Sequence, residues 1–294
     1  MRDLELPITE PQLLERLAMD DRRFDEYVRG LAETLPAREY EAAALTRALG
    51  YPWERPSGSY RLSDAGVDLL EEMSPAERDE AIAEHTGGAG ERLPLLAIGS
   101  NAAPSVLRAK FAHFPEERDR AVLALSGRLH EFDVGFSAQP ALYGSMPATL
   151  FPSPGTAVRA TVLWVTPAQF TQLAWSELSY RLGRLEARFE VDEGGAAFEE
   201  VLVFVSRFGA FRVGGEPVAL AAVPADGRSA RALTQEQALD AAAALAIGPE
   251  ATAETLVRAI FEDFAGLVPS LVGTVNRESL AFASESWAPF GPRP

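Results

Sequence analysis

Glu177 is the residue whose type least suits its place. Phe170, Leu173 and Ala174 form the apolar face of a helix that opens at Thr166-Pro167-Ala168-Gln169, an N-cap followed by proline in the first turn and glutamine three positions on. Glu177 follows Phe170 by seven residues, on that same face. A carboxylate where the pattern calls for a core residue is either neutralised by a partner or held at a raised pKa, where it can exchange protons with a substrate. Arg181, four residues further on, offers the first outcome as a helical ion pair. The spacing alone leaves both readings open.

A second candidate is the stretch from Leu93 to Asn101, LPLLAIGSN. Its apolar run reads as a buried strand, broken by Gly99-Ser100-Asn101. Pro104 then opens a helix carrying Val106, Leu107 and Phe111. In a strand, polar turn and helix of this kind, the backbone N–H groups and the helix N-terminus converge on one spot, which suits an anion or a developing oxyanion. Gly-Ser-Asn is equally ordinary turn chemistry.

Other familiar chemistries lack their residues. The chain of 294 residues has no cysteine, which excludes disulfides, thiolate nucleophiles and Cys-ligated zinc. His85, His113 and His130 have no metal-ligand spacing, and no phosphate loop, dinucleotide fingerprint, H-E-x-x-H or nucleophile elbow is present. The expectation is therefore no metal and no cofactor. A formal net charge of −16 repels phosphate backbones, so no nucleic-acid partner is expected. Lys110 is the only lysine among arginines. No stretch is long and apolar enough for a membrane span and the acidic start is no secretory signal, so the chain reads as soluble and cytoplasmic.

The elements around the two candidates fall into three zones. Residues 1–86 are helical and acidic, with Leu13, Leu17, Phe24, Val28 and Leu31 at helical spacing, interrupted by the turn-rich YPWERPSGSYRL. Their order would suit a winged helix, but the basic face that DNA binding needs is missing. Residues 86–90, Thr-Gly-Gly-Ala-Gly, read as a linker. Residues 91–225 are rich in short Val/Leu/Phe strands separated by Gly and Pro, most visibly at Pro152-Ser153-Pro154-Gly155, and predict a mixed sheet curling toward a barrel. Residues 232–294 return to helix, with a capping box at Thr234 and Gln237 and aromatic anchors at Phe282 and Trp287.

Four motifs in this order resemble the gamma-glutamylcyclotransferase-like family. Its strand ending in Y-G-S-N corresponds to Ile98-Gly99-Ser100-Asn101, and its R-L-x-x-F strand to Arg128-Leu129-His130-Glu131-Phe132. Its A-T-[IL]-x-x-S-P-G segment corresponds to Ala148-Thr149-Leu150-Phe151-Pro152-Ser153-Pro154-Gly155. Its helix ending in L-D-x-x-E-G corresponds to Leu173-Ala174-Trp175-Ser176-Glu177-Leu178. The match runs over about residues 93 to 205.

The resemblance implies an α+β fold, a gamma-glutamylcyclotransferase-like mixed β-barrel with flanking helices, here with helical N- and C-terminal extensions. It implies acyl transfer without a cofactor: the alpha-amino group of a gamma-glutamyl compound attacks its own gamma-carbonyl, releasing an amine and 5-oxoproline. Glu177 would be the general acid/base, with Ile98, Gly99, Ser100, Asn101 and Tyr180 binding the substrate. Three positions depart from the pattern: Ile98 replaces tyrosine, Ala174 aspartate and Leu178 glycine. Two rivals stand beside the enzyme, a non-catalytic module binding a small metabolite and an interaction protein acting through its helical extensions.

Overall fold

The computed structural model describes residues 8–86, 92–193 and 197–290. Apart from Thr86, the linker expected at 86–90 lies outside the described residues. The fold is α+β. Its longest strands, β4 (Val122–Phe136) and β5 (Ala148–Val165), pair antiparallel from Leu123↔Trp164 to Phe136↔Ala148. The register shifts at two adjacent points, where Ala157 faces both His130 and Phe132 and where Phe132 faces both Ala157 and Pro152. Pro152-Ser153-Pro154-Gly155, expected to separate two strands, is instead a bulge in one continuous strand. Gly155 takes the left-handed φ of 78° that the bulge needs, and the Ser153 and Thr156 hydroxyls bond across it at 2.7 Å.

β3 (Leu93–Ala97) lies antiparallel on β5 and parallel to Val201–Ser206, which in turn pairs antiparallel with β6 (Tyr180–Leu185). The outer edge of β4 is covered in succession by β1 (Tyr60–Ser63), Phe189–Val191 and Ala219. β1 itself carries β2 (Gly66–Leu69) as a hairpin. The expected barrel is not closed. No ladder among the described residues joins β6 to Phe189–Val191, because the tail strand Trp287–Pro289 occupies β6's outer edge. Gly183 admits the Trp287 ring there; a Cβ at that position would lie 2.3 Å from it.

Alternation along β3 assigns the two faces of the sheet. Leu95 and Ala97 join one core with Leu163, Leu202 and the helices α1 (Pro11–Leu17), α5 (Pro104–Phe111) and α6 (Pro167–Ser176). Leu96 and Ile98 join the other core, with Val134, Leu150 and the helices α7 (Gln235–Ala246) and α8 (Ala253–Glu262). Capping boxes at Thr166, Thr234 and Thr252 start three of these helices. The remaining helices are α2 (Asp21–Thr34), capped by the Asp20 side chain, α3 (Ala42–Leu49), α4 (Pro75–Thr86) and α9 (Phe264–Ser270). None of the described helices is long and apolar enough to cross a membrane.

One ion pair is sealed inside. Asp133, on β4, has no exposed surface and accepts two hydrogen bonds from Arg228, both at 2.8 Å. Removing one partner of such a pair strands the other charge. Asp133→Ala should cost about 3 kcal/mol in urea unfolding. Arg128→Ala, which breaks an exposed pair with Asp226, should cost less than about 1 kcal/mol. Equal losses in the two variants would show that burial is not what makes the Asp133 pair matter.

Candidate active site

The turn after β3 begins with Ile98, whose side chain is buried in the core and leaves the backbone of the next residues facing a cleft of about 830 Å³. That size suits a small molecule. Gly99 is needed for close approach: a Cβ there would lie 2.3 Å from the Tyr51 hydroxyl and 3.0 Å from Ala148 Cβ. Ser100–Ala102 then form a single tight turn, and Pro104 opens α5. Several amides of this turn are engaged within the protein. The Ala102 and Ala103 N–H groups bond to the Gly99 and Ser100 carbonyls. The Asn101 side chain is the group that reaches across to Glu177.

α6 ends at Ser176, so Glu177 is its C-cap, with φ −114° and ψ 31°, rather than the next residue of its apolar face. The helical pair with Arg181 therefore does not form. Arg181 lies on β6 and pairs with Asp21 of α2, while the cation beside Glu177 is Lys110, from the last turn of α5, with Nζ 3.7 Å from Oε1. Asn101 links the two charges: its Nδ2 donates to Glu177 Oε1 at 2.9 Å, and its Oδ1 accepts from Lys110 Nζ at 2.7 Å. Lys110 also donates to Ser176 Oγ at 2.8 Å.

The pair is largely shielded from solvent, with side-chain exposures of 16% for Glu177 and 21% for Lys110. Burial raises the Glu177 pKa, against the lowering effect of the Lys110 charge and of the hydrogen bond from Asn101. Burial lowers the Lys110 pKa, against the Glu177 charge. Both groups are thus moved toward their neutral forms, the condition under which a carboxylate can take and return a proton near neutral pH.

Tyr180, the first residue of β6, lines the same cleft as Glu177, Ile98, Gly99, Ser100 and Asn101. Its hydroxyl donates to the Ala148 carbonyl at 2.8 Å. The Ala148 N–H donates at 2.8 Å to Tyr51, so two tyrosines bracket one peptide at the start of β5. Burial holds the Tyr180 hydroxyl well above the ordinary tyrosine range, helped by the nearby Tyr51, Glu177 and Tyr143.

Sequence reasoning passed over part of the lining. Tyr51, Trp53 and Arg47 come from the turn-rich stretch and the helix before it, and Tyr143 from the loop between β4 and β5. Tyr51 and Trp53 meet edge-on at 5.5 Å, Tyr143 stacks on Tyr51 at 6.4 Å, and Arg47 lies over the Trp53 ring at 5.4 Å. Two aromatics two positions apart in a turn, and a single lysine in an arginine chain, were the available signals. His113 also lines the cleft. Among the described residues, no group of three or more His, Cys, Asp or Glu side chains is placed to hold a metal ion.

No family model matches the chain, and no curated protein matches it. Solved structures overlap part of it. A solution structure of an Arabidopsis thaliana protein is 17% identical over 42% of this chain and 73% of its own, with a TM-score of 0.32. A structure titled gamma-glutamyl cyclotransferase is 19% identical over 40% and 67%, with a TM-score of 0.31. The Bacillus subtilis protein YkqA is 14% identical over 51% and 57%, with a TM-score of 0.29. At these scores the overlap concerns part of a fold and says nothing of activity.

Proposed function

We propose that the cleft catalyses intramolecular acyl transfer on a gamma-glutamyl compound, releasing an amine and 5-oxoproline, with Glu177 as general acid/base. The observation that carries this reading is a shielded carboxylate with a raised pKa, bonded through Asn101 to the turn that forms the cleft wall. The motif resemblance supports it over the same residues.

The nucleophile and the carbonyl belong to one molecule, so much of the gain comes from holding the folded conformer in an enclosed site. Glu177 takes a proton from the substrate's alpha-ammonium group, and the freed amine attacks the gamma-carbonyl carbon. The new carbon–nitrogen bond closes a five-membered lactam, and the bond to the departing amine breaks as its nitrogen is protonated. Two protons leave the attacking nitrogen and two arrive on the amine, which departs as an ammonium ion; Glu177 carries each in turn. Lys110 and Asn101 hold the Glu177 carboxylate in one orientation through these exchanges. None of these steps calls for a metal or an organic cofactor.

The Lys110–Glu177 contact favours a second reading, in which the pair is a settled ion pair and the cleft binds a small metabolite without turning it over. Incubation with a panel of gamma-glutamyl amines, amino acids and glutathione, following 5-oxoproline by mass, separates the two. Glu177→Gln should then lower turnover by about 10²–10⁴ while substrate affinity stays close to wild type. Full activity in Glu177→Gln would remove Glu177 from the mechanism. Binding without 5-oxoproline in the wild type would establish the metabolite-binding reading.

The pH profile supplies an independent check. Glu177 acts in its ionised form, so activity is lost as pH falls through its pKa, and the rising limb of kcat/KM should lie above the ordinary carboxylate range. The Lys110 charge opposes that rise. Lys110→Met should therefore move the limb to still higher pH, and Glu177→Gln should abolish it. A limb that stays in place or moves toward acid in Lys110→Met would mean that some other group titrates.

A further inference from the structure

We propose that Tyr51, contributed by the segment ahead of the central sheet, is a catalytic residue that donates its phenolic hydrogen to the carbonyl oxygen under attack. This rests on the acyl-transfer reading above and adds to it the group that receives the developing negative charge. Four-motif resemblance begins only near residue 93, so nothing in the matched region assigns a role to Tyr51.

The argument starts with what surrounds the hydroxyl. It lies against Gly99 so closely that no side chain fits there, and it shares the cleft with Ser100, Asn101 and Glu177. A phenol oxygen has one hydrogen to donate and limited room to accept. Here the Ala148 N–H donates to it at 2.8 Å. That backbone amide fixes the oxygen from its accepting side, and the hydroxyl hydrogen is directed elsewhere. Among the described residues no protein acceptor receives it.

Neighbouring tyrosines differ in this respect. Tyr180 spends its hydrogen on the Ala148 carbonyl. Among the described residues the Tyr143 hydroxyl has no hydrogen-bond partner, and its ring stacks on Tyr51. Tyr51 alone of the three combines a fixed oxygen with an unspent hydrogen, which is the preorganisation that stabilises an oxyanion. Burial pushes its pKa up to about 12, against the lowering effect of the Ala148 amide, so it remains a neutral donor throughout the range in which Glu177 works. The chain around it is shaped to hold it. Trp53, two residues on, takes a left-handed φ of 64° that bulky residues rarely adopt, and its Nε1 donates to the Arg47 carbonyl at 3.1 Å, folding the segment back over the cleft.

During attack the carbonyl π pair moves onto oxygen as the carbon–nitrogen bond forms, and Tyr51 holds that oxyanion by a hydrogen bond without giving up its proton. When the oxyanion collapses, the pair returns and the bond to the amine breaks. The proton traffic stays with Glu177, so the two residues do separate work.

Tyr51→Phe, assayed on whichever gamma-glutamyl compound the wild type turns over, should lose about 10²–10³ in kcat with KM changed by less than about threefold. The same substitution deprives the Ala148 amide of its acceptor, so circular dichroism and a melting curve accompany it. A fluorinated tyrosine at position 51 keeps that bond while lowering the phenol pKa. Its kcat profile should acquire a falling limb at alkaline pH, where the phenol ionises and stops donating; a purely structural tyrosine gives no such limb. A wild-type kcat in folded Tyr51→Phe, or an unchanged profile in the fluorinated protein, overturns this role and leaves the Glu177 reading standing. A wild-type chain that neither binds nor converts any gamma-glutamyl compound overturns both.

Discussion

A carboxylate shielded from water beside a single ammonium group is the interaction on which the site depends. Two unit charges about 4 Å apart attract by ~4 kcal/mol at an effective dielectric near 20. Taking each ion out of water costs several kcal/mol in the opposite direction. At 3.7 Å, with both side chains mostly covered, these two effects are of similar size. Burial therefore shifts Glu177 toward its neutral form, and the Lys110 charge opposes that shift. A fully exposed carboxylate would sit too low to return its proton readily, and an isolated buried one would stay protonated.

That balance requires three chain segments to be fixed relative to one another. β3 delivers the turn with Asn101, α5 carries Lys110 and the end of α6 carries Glu177. β3 is held between β5 and Val201–Ser206, inside the sheet rather than at its edge, so the turn it delivers has little freedom. α5 and α6 both pack on the core that includes Leu95, Leu163 and Leu202. The opposite wall comes from the N-terminal segment, which is tied to the same sheet through β1 on β4 and through the Tyr51 bond to Ala148. The cleft is therefore a product of the N-terminal segment as well as of the central sheet.

Much of this was legible in the residues. The apolar run in LPLLAIGSN gave β3, and the capping boxes at Thr166 and Thr234 gave the starts of α6 and α7. What failed was the continuation of local patterns past their ends. Spacing carried α6 through Arg181, but the helix stops at Ser176 and the chain turns into β6, which sends Arg181 toward Asp21. Pro152-Ser153-Pro154-Gly155 has the composition of a loop, yet pairing of long strands on both sides overrides it and leaves a bulge. Barrel closure depended on which segment takes the last free edge of β6, a competition won by the distant Trp287–Pro289. Tyr51 was hidden for the same reason: its place in the cleft depends on Gly99 and Ala148, far along the chain, and a turn-rich sequence carries no sign of them.

The use of lysine beside Glu177 is itself informative. Of 27 basic side chains every one but Lys110 is arginine, so arginine is what this chain supplies wherever a positive charge suffices. A guanidinium next to a carboxylate tends to grip both oxygens through two parallel bonds, which favours the ionised acid and fixes it as a structural anion. An ammonium group instead presents three donors around one atom. Two of them go to Asn101 Oδ1 at 2.7 Å and Ser176 Oγ at 2.8 Å, so Lys110 is held by neutral acceptors and stands 3.7 Å from Glu177. Asn101, not the cation, makes the short bond to Glu177 Oε1. The charge is thereby close enough to temper the effect of burial on Glu177 and too far to clamp it, which is the arrangement the proposed acid/base role calls for.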